Sequence, residues 1–163
     1  PLCLLMIGGR VGTSDPTNAA YAEKIDAKIA ALGLTERVHW TGFVDDETAS
    51  AYFAAADAVV LPFRDGASYR RSSLMAVIQH ECPILTTLPS VPIDTFRQGV
   101  NLMMVTPEST PALTAAMQLI ARDSMLRDRL RAGVRDLKQV FDWETIARAN
   151  AAFFEQVIRG QAP

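Results

Sequence analysis

Leu61-Pro62-Phe63-Arg64-Asp65-Gly66-Ala67-Ser68-Tyr69-Arg70-Arg71-Ser72-Ser73 carries the chain from a strand to a helix through a polar loop. The apolar run Ala58-Val59-Val60-Leu61 before it predicts a buried strand. Leu74-Met75-Ala76-Val77-Ile78 after it predicts the first turns of a helix. The first amides of a helix lack intrahelical acceptors and carry partial positive charge. A loop holding Gly66, the adjacent Arg70 and Arg71, and the hydroxyls of Ser72 and Ser73 is therefore suited to phosphate. Ser72 or Ser73 is the natural helix cap. This segment points to a nucleotide or sugar-phosphate ligand.

Outward from this loop, strand-like and helix-like patterns alternate. Upstream lie an apolar run at 2–7 closed by Gly8-Gly9, a helix over about 18–32 with Gly33 as its stop, and the short strand Val38-His39-Trp40-Thr41 closed by Gly42-Phe43. Asp45 is placed to cap a helix carrying Ala49, Tyr52, Phe53 and Ala56 toward the core. Downstream, Pro83 leads into the strand Ile84-Leu85-Thr86-Thr87. Residues 88–99 are loop-rich, and 101–105 form a fifth strand. From Ser109 the chain reads as helical to its end, with apolar faces at Leu113/Met117/Ile120, Leu126/Leu130/Val134/Leu137 and Trp143/Ile146/Phe153/Phe154/Val157. Strands separated by helices require crossover connections. The expected fold is α/β, a Rossmann-like, mostly parallel sheet with helices on both faces. In such sheets ligands bind beyond the carboxyl ends of the strands, which places loops 8–16, 41–45, 63–73 and 87–94 on one rim.

The bulk numbers narrow the function. A chain of 163 residues suits one domain with a real core, and a formal charge of −2 argues against a nucleic-acid partner. Cys3 and Cys82 sit in apolar surroundings without metal-ligand spacing and read as buried, reduced thiols of a cytoplasmic protein. No segment approaches the roughly 18 apolar residues of a membrane span. The first residue is Pro1, already inside a strand pattern, so the chain reads as a piece of a longer polypeptide. His39 fits a packed or edge position, His80 the end of a helix, Asp65 a turn beside Gly66, and Ser14-Asp15-Pro16 a helix start. No nucleophile–base–acid set or metal cluster stands at usable spacing.

The order of these features resembles the nucleotide-sugar-binding, C-terminal half of a GT-B glycosyltransferase of the retaining, group 1 family. Leu5-Met6-Ile7-Gly8-Gly9 resembles that half's strand and glycine turn. Leu32 to Val44 (LGLTERVHWTGFV) is similar to its helix end, strand and Gly-Phe-Val turn. Tyr52 to Pro62 (YFAAADAVVLP), Glu81 to Thr87 (ECPILTT), Asn101-Leu102 and Phe141-Asp142-Trp143-Glu144 follow in family order. The resemblance implies that Gly8, Gly9, Gly42, Phe43 and Val44 lie on the nucleotide side, with the base against the backbone of Gly42-Phe43-Val44. It implies that Asp65, Gly66, Ser68, Ser72 and Ser73 line the diphosphate and donor sugar, and that Arg70 or Arg71 stabilises the leaving diphosphate. No metal and no cofactor beyond the nucleoside diphosphate sugar is implied.

The sequence also departs from that pattern. The family usually has two Glu eight positions apart around this loop. Counting back from Pro83 places Ala76 at the second, with Ser68 at the first and Asp65 three positions too early. Glu81 stands where Gly is usual. The loop is instead similar to a subgroup reading Asp-Gly-x-Ser-x-x-Arg-x-Ser. The family's first strand and helix, and its acceptor domain, have no counterpart here. That strand is central in the usual order, so its two neighbours are expected to pair directly or to recruit another chain. The implied whole is a hexosyltransferase with a missing N-terminal acceptor domain, the fragment alone being inactive. Its expected site is cytoplasmic, with peripheral association at the inner face of the membrane left open. A degenerate, non-catalytic scaffold is the alternative, and a nucleotide-sugar epimerase a third reading.

Overall fold

The computed structural model describes residues 2–9 and 16–160. In chain order the elements are β1 (Leu4–Met6), α1 (Pro16–Ala31), a 3-10 turn (Thr35–Arg37), β2 (Val38–Trp40), α2 (Asp46–Ala55), β3 (Val59–Leu61), α3 (Ser72–Gln79), β4 (Ile84–Thr87), β5 (Met103–Val105), α4 (Thr110–Arg122), α5 (Ser124–Val140) and α6 (Trp143–Ile158). They fall into two compact units, Pro1–Tyr52 and Phe53–Pro163, divided within α2.

In the larger unit β3, β4 and β5 form a parallel sheet in that order, with Val59 opposite Ile84 and Leu85 opposite Met103. Side chains alternate across a strand, and the core divides accordingly. Ile84, Met104 and the partly buried Val59 and Leu61 face one cluster with Leu74, Val77 and Ile78 of α3 and Val134 and Leu137 of α5. Leu85, with Val60, Met103 and Val105, faces a second with Ala116 and Ile120 of α4 and Leu126 and Leu130 of α5. The long helix α5 thus contributes to both. Gly133 at its middle passes so near the 100–101 backbone that a Cβ would lie 2.2 Å from the Val100 carbonyl oxygen. Ser109, Asp123 and Asp142 cap α4, α5 and α6 by accepting from Ala112, Leu126 and Thr145 amides.

In the smaller unit β1 and β2 form a two-stranded parallel sheet, with Leu5 opposite His39. β1 pairs only with β2, and β3 only with β4, among the described residues. Two apolar expectations are corrected. Cys3 is exposed, because β1 has a single strand neighbour and no residue described in 2–52 is fully buried. The third apolar face is also uncovered: Trp143 is 82% exposed, and Phe153, Phe154 and Val157 are exposed with it. α6 packs chiefly on α5, and no second layer lies over its other side among the described residues.

Candidate functional site

The loop after β3 is tied down by β4. Thr86 Oγ1 donates to the Leu61 carbonyl at 2.8 Å, Thr87 Oγ1 to the Phe63 carbonyl at 2.7 Å, and the Ala67 amide to the Thr87 carbonyl at 3.2 Å. Both threonines are buried, so their hydroxyls must find partners, and the loop carbonyls are within reach. Two Thr ending a buried strand are the sequence signal for this latch. Gly66, at φ +87, turns the chain inward against Leu88-Pro89-Ser90, and Ala67 beside it is buried. Only glycine enters that turn without strain.

Beyond the turn the loop opens to solvent. Tyr69 sets its ring edge-on to Phe96 and Phe141, at 5.3 and 5.2 Å between centroids, and its hydroxyl hydrogen-bonds Thr95 Oγ1. The segment under it is held by buried Asn101, which accepts from the Arg97 amide and donates to the Thr95 carbonyl. Arg71 forms an ion pair with Asp65 across the loop, and its guanidinium carbon lies 4.9 Å from the Phe63 ring centroid. Arg70 projects to solvent beside it.

The helix cap differs from expectation. Arg71, at φ −84 and ψ 97, occupies the N-cap of α3, and its side chain makes no capping bond. Ser72 and Ser73 are the first two helical residues, both exposed. The serines lose the cap position because Arg71 is drawn back toward Asp65 and Phe63, holding its own backbone extended. The first-turn amides of α3 therefore keep their donors for another partner. Asp65, Gly66, Ser68, Arg70, Arg71, Ser72 and Ser73 are brought together at the carboxyl end of β3. Ala76 lies half-buried on α3 and offers no side-chain hydrogen bond.

In the smaller unit, Gly8, Gly9, Gly42, Phe43 and Val44 also converge. The Gly8 amide donates to Thr41 Oγ1 at 3.1 Å, that hydroxyl donates to the Gly42 carbonyl at 2.8 Å, and Gly8 bridges Gly42. A Cβ on Gly9 would meet the Phe43 ring at 2.7 Å, so the two turns touch through that ring, whose residue is 89% exposed. Thr41 was not among the expected site residues, although it stands directly before the Gly-Phe turn. Of loop 8–16, residues 10–15 lie outside the described residues, as do Ser14 and Asp15 as a helix start.

Two clefts open on the larger unit. One of about 130 Å³ lies at the carboxyl ends of β3, β4 and β5, lined by Pro62, Arg64, Thr87, Thr106, Glu108 and Ser109 among others, and Arg64 pairs there with Glu108 at 2.8 Å. A larger one, about 430 Å³, lies at the opposite end of the sheet, where Glu81 meets Arg135 and Lys138. Its Glu81 carboxylate is paired with both cations. His80 stacks at 5.1 Å on Phe53, and His39 is exposed on β2. Among the described residues no group of three or more metal-ligating side chains is assembled. No described helix is long and apolar enough to cross a membrane.

Residues 2–123 match the family model of glycosyl transferases group 1. The chain belongs to that family. A curated relative, an MMP alpha-(1->4)-mannosyltransferase of Mycolicibacterium hassiacum, is 29% identical over 134 residues, covering 80% of this chain and 32% of its own. Among solved structures, the sucrose-phosphate synthase of Thermosynechococcus elongatus superposes with a TM-score of 0.73 at 24% identity, covering 96% of this chain and 39% of its own. Anabaena Alr3699/HepE, in complex with UDP, superposes at 0.76 with 18% identity, covering 95% and 41%. The fold of this group 1 member is thus the Rossmann-like α/β fold of GT-B glycosyltransferases. The chain spans about a third to two fifths of the length of these relatives.

Proposed function

We propose that residues 1–163 are the donor-binding domain of a hexosyltransferase that uses a nucleoside diphosphate sugar and a second, acceptor-binding domain. The observation that carries this reading is loop 63–73: a braced turn at the carboxyl end of a parallel strand, feeding a helix whose first amides have no side-chain cap, with Arg70 beside them. Such an arrangement stabilises a departing diphosphate through fixed dipoles and a guanidinium, with no proton transfer needed. Family membership and a UDP-bound structural neighbour support the same donor class. The acceptor side is supplied by the other domain, so this fragment alone transfers no sugar, and the protein works in the cytoplasm.

The test is calorimetric titration of the full-length protein with UDP, GDP and ADP, beside an Arg70→Ala/Arg71→Ala variant. Selective binding that weakens in the variant supports the donor site and identifies the base. Absence of binding to all three, in a folded protein, favours a scaffold instead. One feature of the sequence favours that second reading: Ala76 stands at the helix position where the resemblance to the family implies a carboxylate.

A further inference from the structure

The donor loop carries three arginines, and the structure separates them. Arg64 is paired with Glu108 at 2.8 Å, and Arg71 with Asp65. Arg70 has no ion-pair or hydrogen-bond partner among the described residues. It stands one residue before the N-cap of α3, adjacent to the helix amides that lack a cap. Arg71 is only 33% exposed and is fixed by three attachments: the Asp65 carboxylate, the face of Phe63, and its own carbonyl, which accepts from the Met75 amide to begin α3.

We infer that Arg70 alone supplies the free guanidinium for the diphosphate, whereas Asp65 and Arg71 form a fixed brace that shapes the loop. The inference rests on the reading of loop 63–73 as the donor loop. Its physical ground is charge compensation. Swinging Arg71 onto a diphosphate would break its ion pair and its ring contact. It would also leave the Asp65 carboxylate uncompensated beside two phosphates, a like-charge arrangement that opposes binding. Arg70 pays neither penalty. Asp65 and Arg71 are on this account positioning residues: they fix the start of α3, and with it the direction of the amides that Arg70 flanks.

Titration of the full-length protein with UDP, GDP and ADP separates the two roles. Removing one charge-assisted contact predicts that Arg70→Ala weakens binding of the preferred nucleotide by roughly 10- to 100-fold, and that Arg70→Lys restores part of it. The ionic-strength dependence of binding falls in Arg70→Ala. Asp65→Asn leaves affinity unchanged or lowers it. If Arg71 were the diphosphate ligand, held back by Asp65, the same substitution would tighten binding. Tighter binding by Asp65→Asn, or an Arg70→Ala protein that binds like wild type, overturns the assignment while leaving the donor loop standing. A folded wild type that binds none of the three nucleotides overturns the donor-loop reading, and this inference with it.

Discussion

Gly66 runs so close to the carbonyl of Leu88 that a Cβ at position 66 would lie 2.4 Å from that oxygen. The contact is backbone to backbone, so no flexible side chain can yield. It joins loop 63–73 to the chain leaving β4, beside the bond from the Ala67 amide to the Thr87 carbonyl. Gly66→Ala adds a left-handed φ penalty to this overlap. Overpacking costs about 1–3 kcal/mol. Urea unfolding is expected to show a loss of at least that size, and nucleotide affinity is expected to fall with it. A variant with wild-type stability would mean that the loop is not held against Leu88.

In the smaller unit the corresponding joint is a single hydroxyl. Thr41 accepts from the Gly8 amide and donates to the Gly42 carbonyl. Thr41→Val keeps the β-branched shape and removes both bonds, at about 1 kcal/mol each. Amide exchange at Gly8 reads this directly. Protection should fall in Thr41→Val and persist in Thr41→Ser; equal protection in all three proteins would remove Thr41 as the staple.

How far these features can be read in advance depends on their range along the chain. Asp45 is legible as a cap because the helix it serves begins at the next residue, and the Thr48 amide does donate to it. The buried strand Ile84–Thr87 is legible from four apolar or β-branched residues behind Pro83. The cap of α3 is not, since local composition favours Ser72. What sets Arg71 there instead is its attachment to Asp65 and Phe63, six and eight positions back. Periodicity places Trp143, Phe153 and Phe154 on α6 but says nothing of what covers them. The loop itself was legible because strand end, glycine, cations and helix start are contiguous.

Glu81 holds a left-handed φ of 56 where α3 gives way to β4. Its carboxylate accepts from Arg135 Nε at 2.9 Å and from Lys138 Nζ at 3.1 Å. The Arg135 bond, then the Lys138 bond, hold its carboxyl below the usual value of 4.5. Glu81→Gly loses these partly exposed pairs but relieves a left-handed conformation worth about 1–2 kcal/mol, so it should be near neutral. Glu81→Ala loses the pairs and keeps most of the strain, and should be the least stable of the three. A depressed carboxyl stabilises the fold above its unfolded value and loses that contribution as pH falls through the folded one. Denaturant midpoints should therefore drop more steeply below pH 4.5 for wild type than for Glu81→Gly. Parallel pH profiles would mean that the pairs contribute nothing.

The two cysteines differ in exposure, which predicts different chemistry. Cys3 is exposed just before β1, whereas Cys82 is buried behind α3, where its Sγ donates to the Phe53 carbonyl at 3.0 Å. Burial pushes the Cys82 thiol above its ordinary value, with Arg131 opposing weakly. Thiolate is the reactive form, so Cys82 is disfavoured both by access and by ionisation. Iodoacetamide labelling followed by peptide mass spectrometry should modify Cys3 in the native protein and Cys82 only in denaturant. Raising the pH to 9 should leave Cys82 protected, because opening of the core, not ionisation, limits its access. Labelling of Cys82 at the rate of Cys3 would mean that the packing of Phe53 over it opens freely in the native state.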